Sequence, residues 1–200
     1  MKKGLIITIA VVVCLFILFA GGCSSYNGMV EADQAVQKQW GQVENQYQRR
    51  NDLIPNLVGT VKGYAEHESE TLQGVTNARA GLTKAYNEAN AAQAEGPADI
   101  AAYQQAQGQL KSALDIYVNA VREAYPDLKA NENFLSLQAQ LEQTENRVST
   151  ERKRYNEVVE AYNVKVLRFP GRIFAAIFGY GPKDMFKAEE GAQKAPKVEF

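Results

Sequence analysis

Apolar and aromatic residues recur along most of this chain in alternating steps of three and four, and that spacing admits one kind of secondary structure. From Val36 the series Val36, Trp40, Val43, Tyr47, Arg50, Ile54, Leu57, Val61 and Tyr64 keeps the step without a slip. Ile100, Tyr103, Gln107, Leu110, Leu114, Tyr117 and Val121 repeat it. Phe134, Leu141, Val148, Tyr155, Tyr162 and Phe169 stand seven apart, with Gln138, Glu145, Arg152, Val159 and Val166 completing the stripe. An α-helix turns once in about 3.6 residues, so each series draws one narrow stripe along a helix. No strand-like alternation competes. The chain is expected to be all-α, an antiparallel up-and-down four-helix bundle whose stripes share a core.

Punctuation places the connections. Gly63 and the polar run Glu66-His67-Glu68-Ser69-Glu70 suggest a turn, although the stripe can be continued through Leu72, Val75, Arg79, Leu82, Tyr86 and Ala89. Glu95-Gly96-Pro97 marks a firmer stop, and Tyr125-Pro126 and Phe169-Pro170 end the next two helices, because a residue before proline disfavours helical geometry. Helices near 28–62, 66–93, 98–124 and 132–168 are expected, then a short helix at 171–178 and a loose polar end to Phe200. Pro55 interrupts the first stripe without shifting its step, which favours a kink near 51–55 over a break capped by Asp52.

The N-terminus is of another kind. Gly4–Gly22 contains no charged residue, and its length as a helix, roughly 28 Å, matches the hydrocarbon thickness of a bilayer. Lys2 and Lys3 precede it, so the positive-inside bias keeps that end cytoplasmic and sends the rest across. Residues 1–23 thus read as a membrane anchor, 24–168 as an extracytoplasmic helical domain and 169–200 as its tail. Ala20-Gly21-Gly22-Cys23 offers a second reading, a lipoprotein cleavage site with Cys23 acylated. Either way membrane lipid is a partner of the N-terminal segment.

Composition narrows the function. The chain carries 22 Lys and Arg, two of them in front of the anchor, against 23 Asp and Glu, which is no footprint for nucleic acid. Hydrophobic residues make up 46%, ample for a core without disulfides, and the two cysteines, Cys14 and Cys23, both lie at the anchor. His67 is the only histidine and sits in the acidic run, with no nucleophile motif or metal-ligand spacing beside it. No cofactor or phosphate-binding loop is indicated, and no catalytic or metal-binding residues are assigned.

Charged residues inside the stripes are more informative. Arg50, Arg79, Glu145 and Arg152 occupy positions that otherwise hold apolar side chains. Long arginine stems can lie along apolar surface with their heads in water. Alternatively the four form a polar layer that sets helix register, with Glu145 as a partner for Arg50. Tyr155-Asn156 and Tyr162-Asn163, seven apart, and Tyr26-Asn27 are expected to pack their rings in the core with the hydroxyl at its rim, the alternative being a ligand platform. In the tail, Phe169, Ile173, Phe174, Ile177 and Phe178 share one helical face. That face either covers the open end of the core, which its single Arg172 favours, or makes a membrane or partner contact through Phe174, Ile177 and Phe178.

Ser25-Tyr26-Asn27, Gln48-Arg49-Arg50-Asn51-Asp52-Leu53-Ile54-Pro55-Asn56-Leu57-Val58, Val61-Lys62-Gly63-Tyr64, Tyr125-Pro126-Asp127-Leu128-Lys129-Ala130-Asn131, Tyr162-Asn163, Phe169-Pro170 and Pro196-Lys197-Val198-Glu199-Phe200, in this order behind an apolar leader, resemble the LemA family of bacterial envelope proteins. The resemblance covers nearly the whole chain. It implies an N-terminal transmembrane anchor, an up-and-down helical bundle and no defined biochemical role; Cys23 is the departure from its uncleaved-anchor pattern. Two functional classes remain. One is a non-enzymatic module that docks another envelope protein, favoured by the missing nucleophile–base constellation; the other is an enzyme acting on an envelope substrate.

Overall fold

The computed structural model describes residues 2–65, 73–95 and 99–187, and all its regular structure is helical. Helix α1 spans Lys2–Ala65, α2 Gln73–Glu95, α3 Ile100–Ala124, α4 Glu132–Leu167 and α5 Gly171–Phe178, with a 3-10 turn at Pro126–Ala130. The turn foreseen at 66–70, with His67, and the Gly96-Pro97 stop lie outside the described residues.

The helix ends have local causes. The Asp99 carboxylate accepts the Ala102 N–H at 2.9 Å and caps α3, while Pro126 stops it one residue past Tyr125. Asn131 caps α4 by accepting the Phe134 N–H at 3.1 Å. Gly179 closes α5 at φ 78°, a left-handed conformation that favours glycine, and the Tyr180 N–H returns to the Ala175 carbonyl.

Helix α1 departs from expectation in being a single run of 64 residues. The apolar helix expected at 4–22 and the helix expected from Gly28 are continuous from Lys2, while Pro55 is passed without a break, as the unbroken stripe favoured. A glycine costs a helix about 1 kcal/mol and an interior proline about 3 kcal/mol. Burial nearby offsets this: Met29 and Ala32 follow Gly28, and Leu53, Ile54 and Leu57 flank Pro55. Among the described residues no helix is long and apolar enough to cross a membrane. The side chains of Lys2, Lys3, Cys14, Ile17 and Leu18 lie outside that description.

The chain divides into two compact units. In the first, residues 1–39 with 154–184, Met29, Ala32 and Val36 of α1 are buried, as are Tyr155, Val159, Tyr162 and Val166 of α4 and Ala175 of α5. Within it the Lys165 ammonium donates to the Gly28 carbonyl at 3.3 Å, and the Phe174 ring lies over Gly22, where a Cβ would stand 3.2 Å from Cε1. These two contacts run in opposite directions along the chain, so α1 and the α4–α5 arm are antiparallel here. In the second unit, residues 40–153 with the chain from Met185 onward, one apolar cluster draws on Leu53, Ile54, Leu57 and Val61 of α1, Val75, Leu82, Ala85 and Ala89 of α2, Leu110, Leu114, Tyr117 and Val121 of α3, and Phe134 and Leu141 of α4. Most apolar residues of the stripes read from spacing are buried, in this unit or in the first. Phe169 is an exception: α4 ends at Leu167 and the Phe169 ring is 78% exposed.

Candidate functional site

In the second unit one level of the core is polar. Arg50, on the buried stripe of α1, is 1% exposed, so its head does not reach water along an apolar stem. Its Nη1 donates to Glu145 Oε1 on α4 at 2.8 Å, and its Nη2 donates to the side-chain oxygen of Gln107 on α3. Gln107 in turn donates to the Ala89 carbonyl of α2 at 3.5 Å. One residue on, the fully buried Asn51 donates to Asn90 Oδ1 of α2 at 2.7 Å and to Gln93 Oε1 at 3.3 Å. All four helices are therefore tied at one level. Glu145 is 25% exposed, so the pair sits at the wet edge of the core, where desolvation costs less than at the centre.

The structure brings together Arg50 and Glu145 but neither of the other two arginines. Arg79 is exposed on α2, because its stripe position falls at the edge of the α2 face. Arg152 is half-buried and serves the tail: its Nη2 donates to the Lys187 carbonyl at 3.0 Å, and its guanidinium carbon lies 4.9 Å from the Phe186 ring centroid. The tail is thus not loose throughout. Phe186 is buried, stacked on Trp40 at 5.9 Å with planes 9° apart, and Trp40 meets Tyr103 at 5.0 Å. Gln104 clasps Lys187 at both backbone groups, donating to its carbonyl at 2.9 Å and accepting its N–H at 3.0 Å. The polar layer expected from sequence left out Gln107 and Asn51, and Gln104 and Phe186 were not singled out at all. Gln107 and Asn51 carried a signal as polar residues on or beside a stripe; a lone aromatic in a polar tail carried none.

In the first unit, Tyr162 donates its hydroxyl to the Gly181 carbonyl at 2.9 Å, and Asn163 pairs with both backbone groups of Lys183 at 2.9 and 2.8 Å. Lys183 also bridges to Asp33 at 2.8 Å. Tyr155 and Tyr162 are buried, whereas Tyr26 is exposed and meets Phe178 edge-on at 4.9 Å. The face of α5 covers no core with most of its apolar residues: Phe174 is half-buried over Gly22, but Ile173 and Ile177 are 53% and 68% exposed and Phe178 is exposed. Only Ala175 of this helix is buried. Cys23 is exposed on α1.

Buried phenols dominate the electrostatics. Burial pushes the Tyr117 hydroxyl up to about 12 against the pull of Arg79, and the Tyr155 hydroxyl up to about 12 with help from Asp184. Burial raises Tyr103 further. Neutral phenols of this kind offer no base at neutral pH. Among the described residues no three His, Cys, Asp or Glu side chains gather to hold a metal ion. A shallow groove between α2 and α3 is lined by Lys84, Glu88, Gln105 and Gln109 with small residues between them, and Lys84 and Glu88 pair along α2 at 3.8 Å, both well exposed.

The LemA family model matches residues 39–200. Protein LemA of Metamycoplasma hominis is 23% identical over 146 residues, 72% of this chain and 60% of that protein. Magnetosome proteins MamQ 1 and MamQ 2 of Paramagnetospirillum magneticum are each 26% identical over 189 residues, 86% of this chain and 68% of each relative. The chain therefore spans three fifths to two thirds of the length of these relatives. With the family match running over both the polar level and the tail clasp, the chain belongs to the LemA family.

Proposed function

We propose that this LemA-family chain is a membrane-tethered, non-enzymatic interaction module: Gly4–Gly22 is its anchor, Lys2 and Lys3 stay cytoplasmic, and the helices beyond form an extracytoplasmic up-and-down four-helix bundle that docks another envelope protein. One observation carries the tether. From Leu5 to Phe19, Leu5, Ile6, Ile7, Ile9, Val11, Val12, Val13, Leu15, Phe16 and Phe19 are each half or more exposed on one helix. A contiguous apolar surface of that size is far beyond what a monomer leaves in water, and lipid is the solvent that suits it. The α5 residues Ile173 and Ile177 belong to the same unit, where Phe174 touches Gly22 at the end of the apolar run, so they suit the adjoining bilayer surface. Against an enzyme stands the use of the polar core groups: Arg50 is engaged by Glu145 and Gln107, and Asn51 by Asn90 and Gln93, so they tie helices together. Envelope-enzyme activity is the competing reading, and a substrate turned over by the purified chain would establish it.

The exposed Cys23 supports a second form of tether, cleavage before Cys23 and acylation of its thiol. Alkaline extraction of membranes with intact-mass analysis of the retained protein separates the cases. An uncleaved chain that resists extraction is expected. A mature N-terminus at a lipid-bearing Cys23 would replace the helix by acyl chains, and release by alkali would end the tether in either form.

A further inference from the structure

The groups that hold Met185–Lys187 are those of a peptide-recognition site. Gln104 meets both backbone groups of Lys187, as a neighbouring strand would, and so binds main chain whatever the side chain. Arg152 adds a donor to the same carbonyl. Selectivity comes one residue earlier. The Phe186 ring slides between the Trp40 indole and the Arg152 guanidinium, and Tyr103 backs the indole, giving a flat slot that takes a planar ring. The occupant is irregular: Met185–Lys187 form no helix, and Phe186 is the one buried residue among them. Outside any helix, these three residues lack the intrahelical hydrogen bonds of the core helices and open more readily.

Building on the interaction-module reading, we infer that Trp40, Tyr103, Gln104 and Arg152 form a socket for an extended segment of a partner protein that presents a phenylalanine or tyrosine followed by a residue with both backbone groups free, and that Phe186 is the resident plug which the partner displaces. The resident occupant defines the chemistry. Exchange with the tail of a second copy would replace each contact by its equal and gain nothing. A partner segment running past both ends of the socket adds contacts of its own, which offsets the advantage of the tethered plug.

Trp40 is the chain's only tryptophan, so its emission reports directly on the slot. The test uses the full chain in detergent micelles and a terminally blocked peptide copying Lys183–Lys187, with an alanine-for-phenylalanine peptide as control. Phe186→Ala is expected to shift Trp40 emission to the red, and the phenylalanine peptide to restore it. Binding to the unmodified chain is expected to be weaker by roughly tenfold or more, because the socket is open only a fraction of the time. Gln104→Leu added to Phe186→Ala should weaken peptide binding with little change in helicity. Should Phe186→Ala fail to fold, hydrogen exchange on the unmodified chain carries the test, since saturating peptide must strip protection from the Lys187 amide. Equal behaviour of the two peptides, or a Lys187 amide indifferent to peptide, overturns the socket. If the Trp40→Phe chain restores the emission of the Phe186→Ala chain while the peptide does not, the occupant is a second copy and the partner assignment falls. None of these outcomes touches the tether, which extraction tests separately.

Discussion

Arg50 is the residue whose environment makes the sharpest demand. Its head is enclosed by Glu145, Gln107 and the Tyr47 ring, whose centroid lies 5.0 Å from the guanidinium carbon. Removing it strands a carboxylate and a side-chain amide that were placed to meet it. Arg50→Ala is expected to cost about 3–5 kcal/mol in urea unfolding, and a cycle with Glu145→Ala to show coupling of roughly 1–3 kcal/mol. Arg79→Ala, at an exposed site on the same kind of stripe, should stay within about 0.5 kcal/mol. Coupling near zero between Arg50 and Glu145 would mean that the pair is not held in solution. The value of such a layer is in register: a slip of α1 by one turn against α4 would bury an unpaired arginine, whereas an all-apolar stripe tolerates it.

At the scale of the element, α5 and α1 respond differently to the same chemistry. Ile173 and Ile177 make the outer face of α5, while Phe174 and Phe178 rest on Gly22 and Tyr26 of α1. Residues 24–200, made without the apolar run, are expected to bind anionic liposomes through that outer face. Ile173→Asp with Ile177→Asp should abolish binding at unchanged melting temperature, because neither side chain is covered by protein. Phe178→Asp should lower the melting temperature by removing the ring from Tyr26. Liposome binding unaffected by the double substitution would show that the face meets something other than lipid. Helix α1 teaches a related point. It tolerates Gly28 and Pro55 because a break would forfeit the burial that follows Gly28 and flanks Pro55, worth more than the local penalty.

Across the whole molecule, stability rests on packing that includes many tyrosines, and their titration sets its alkaline limit. Tyr117 and Tyr155 are pushed up to about 12 from a usual value of 10, chiefly by burial, and Tyr103 higher still. A group whose folded pKa is raised contributes fully below its unfolded value, and that contribution fades as pH rises through the folded value. Thermal stability should therefore hold up to about pH 10 and fall as pH climbs towards about 12. Tyrosinate absorbance followed alongside helicity checks this. Ionisation of these phenols complete well before any loss of helix would show that they are not buried in solution.

Helix type, the lining of both cores and most helix ends were legible in the residues alone, because helical periodicity, proline stops and Asx caps are local. Ile100 to Val121 and Phe134 to Val166 needed nothing but their spacing. Which acid Arg50 would meet was not legible with certainty, since Glu145 lies 95 residues away and any of 23 acids had the right chemistry. The continuity of α1 through Gly28 is not legible locally, because propensity there is worth about 1 kcal/mol, less than the burial of a single core side chain. The capture of Phe186 was wholly invisible: one aromatic ring in a polar tail has no period, and its site is assembled from α1, α3 and α4 only after they fold. The sequence determined by itself what repeats at short range; tertiary structure decided what depends on distant residues arriving at one place, because that meeting is governed by shared burial and not by spacing along the chain.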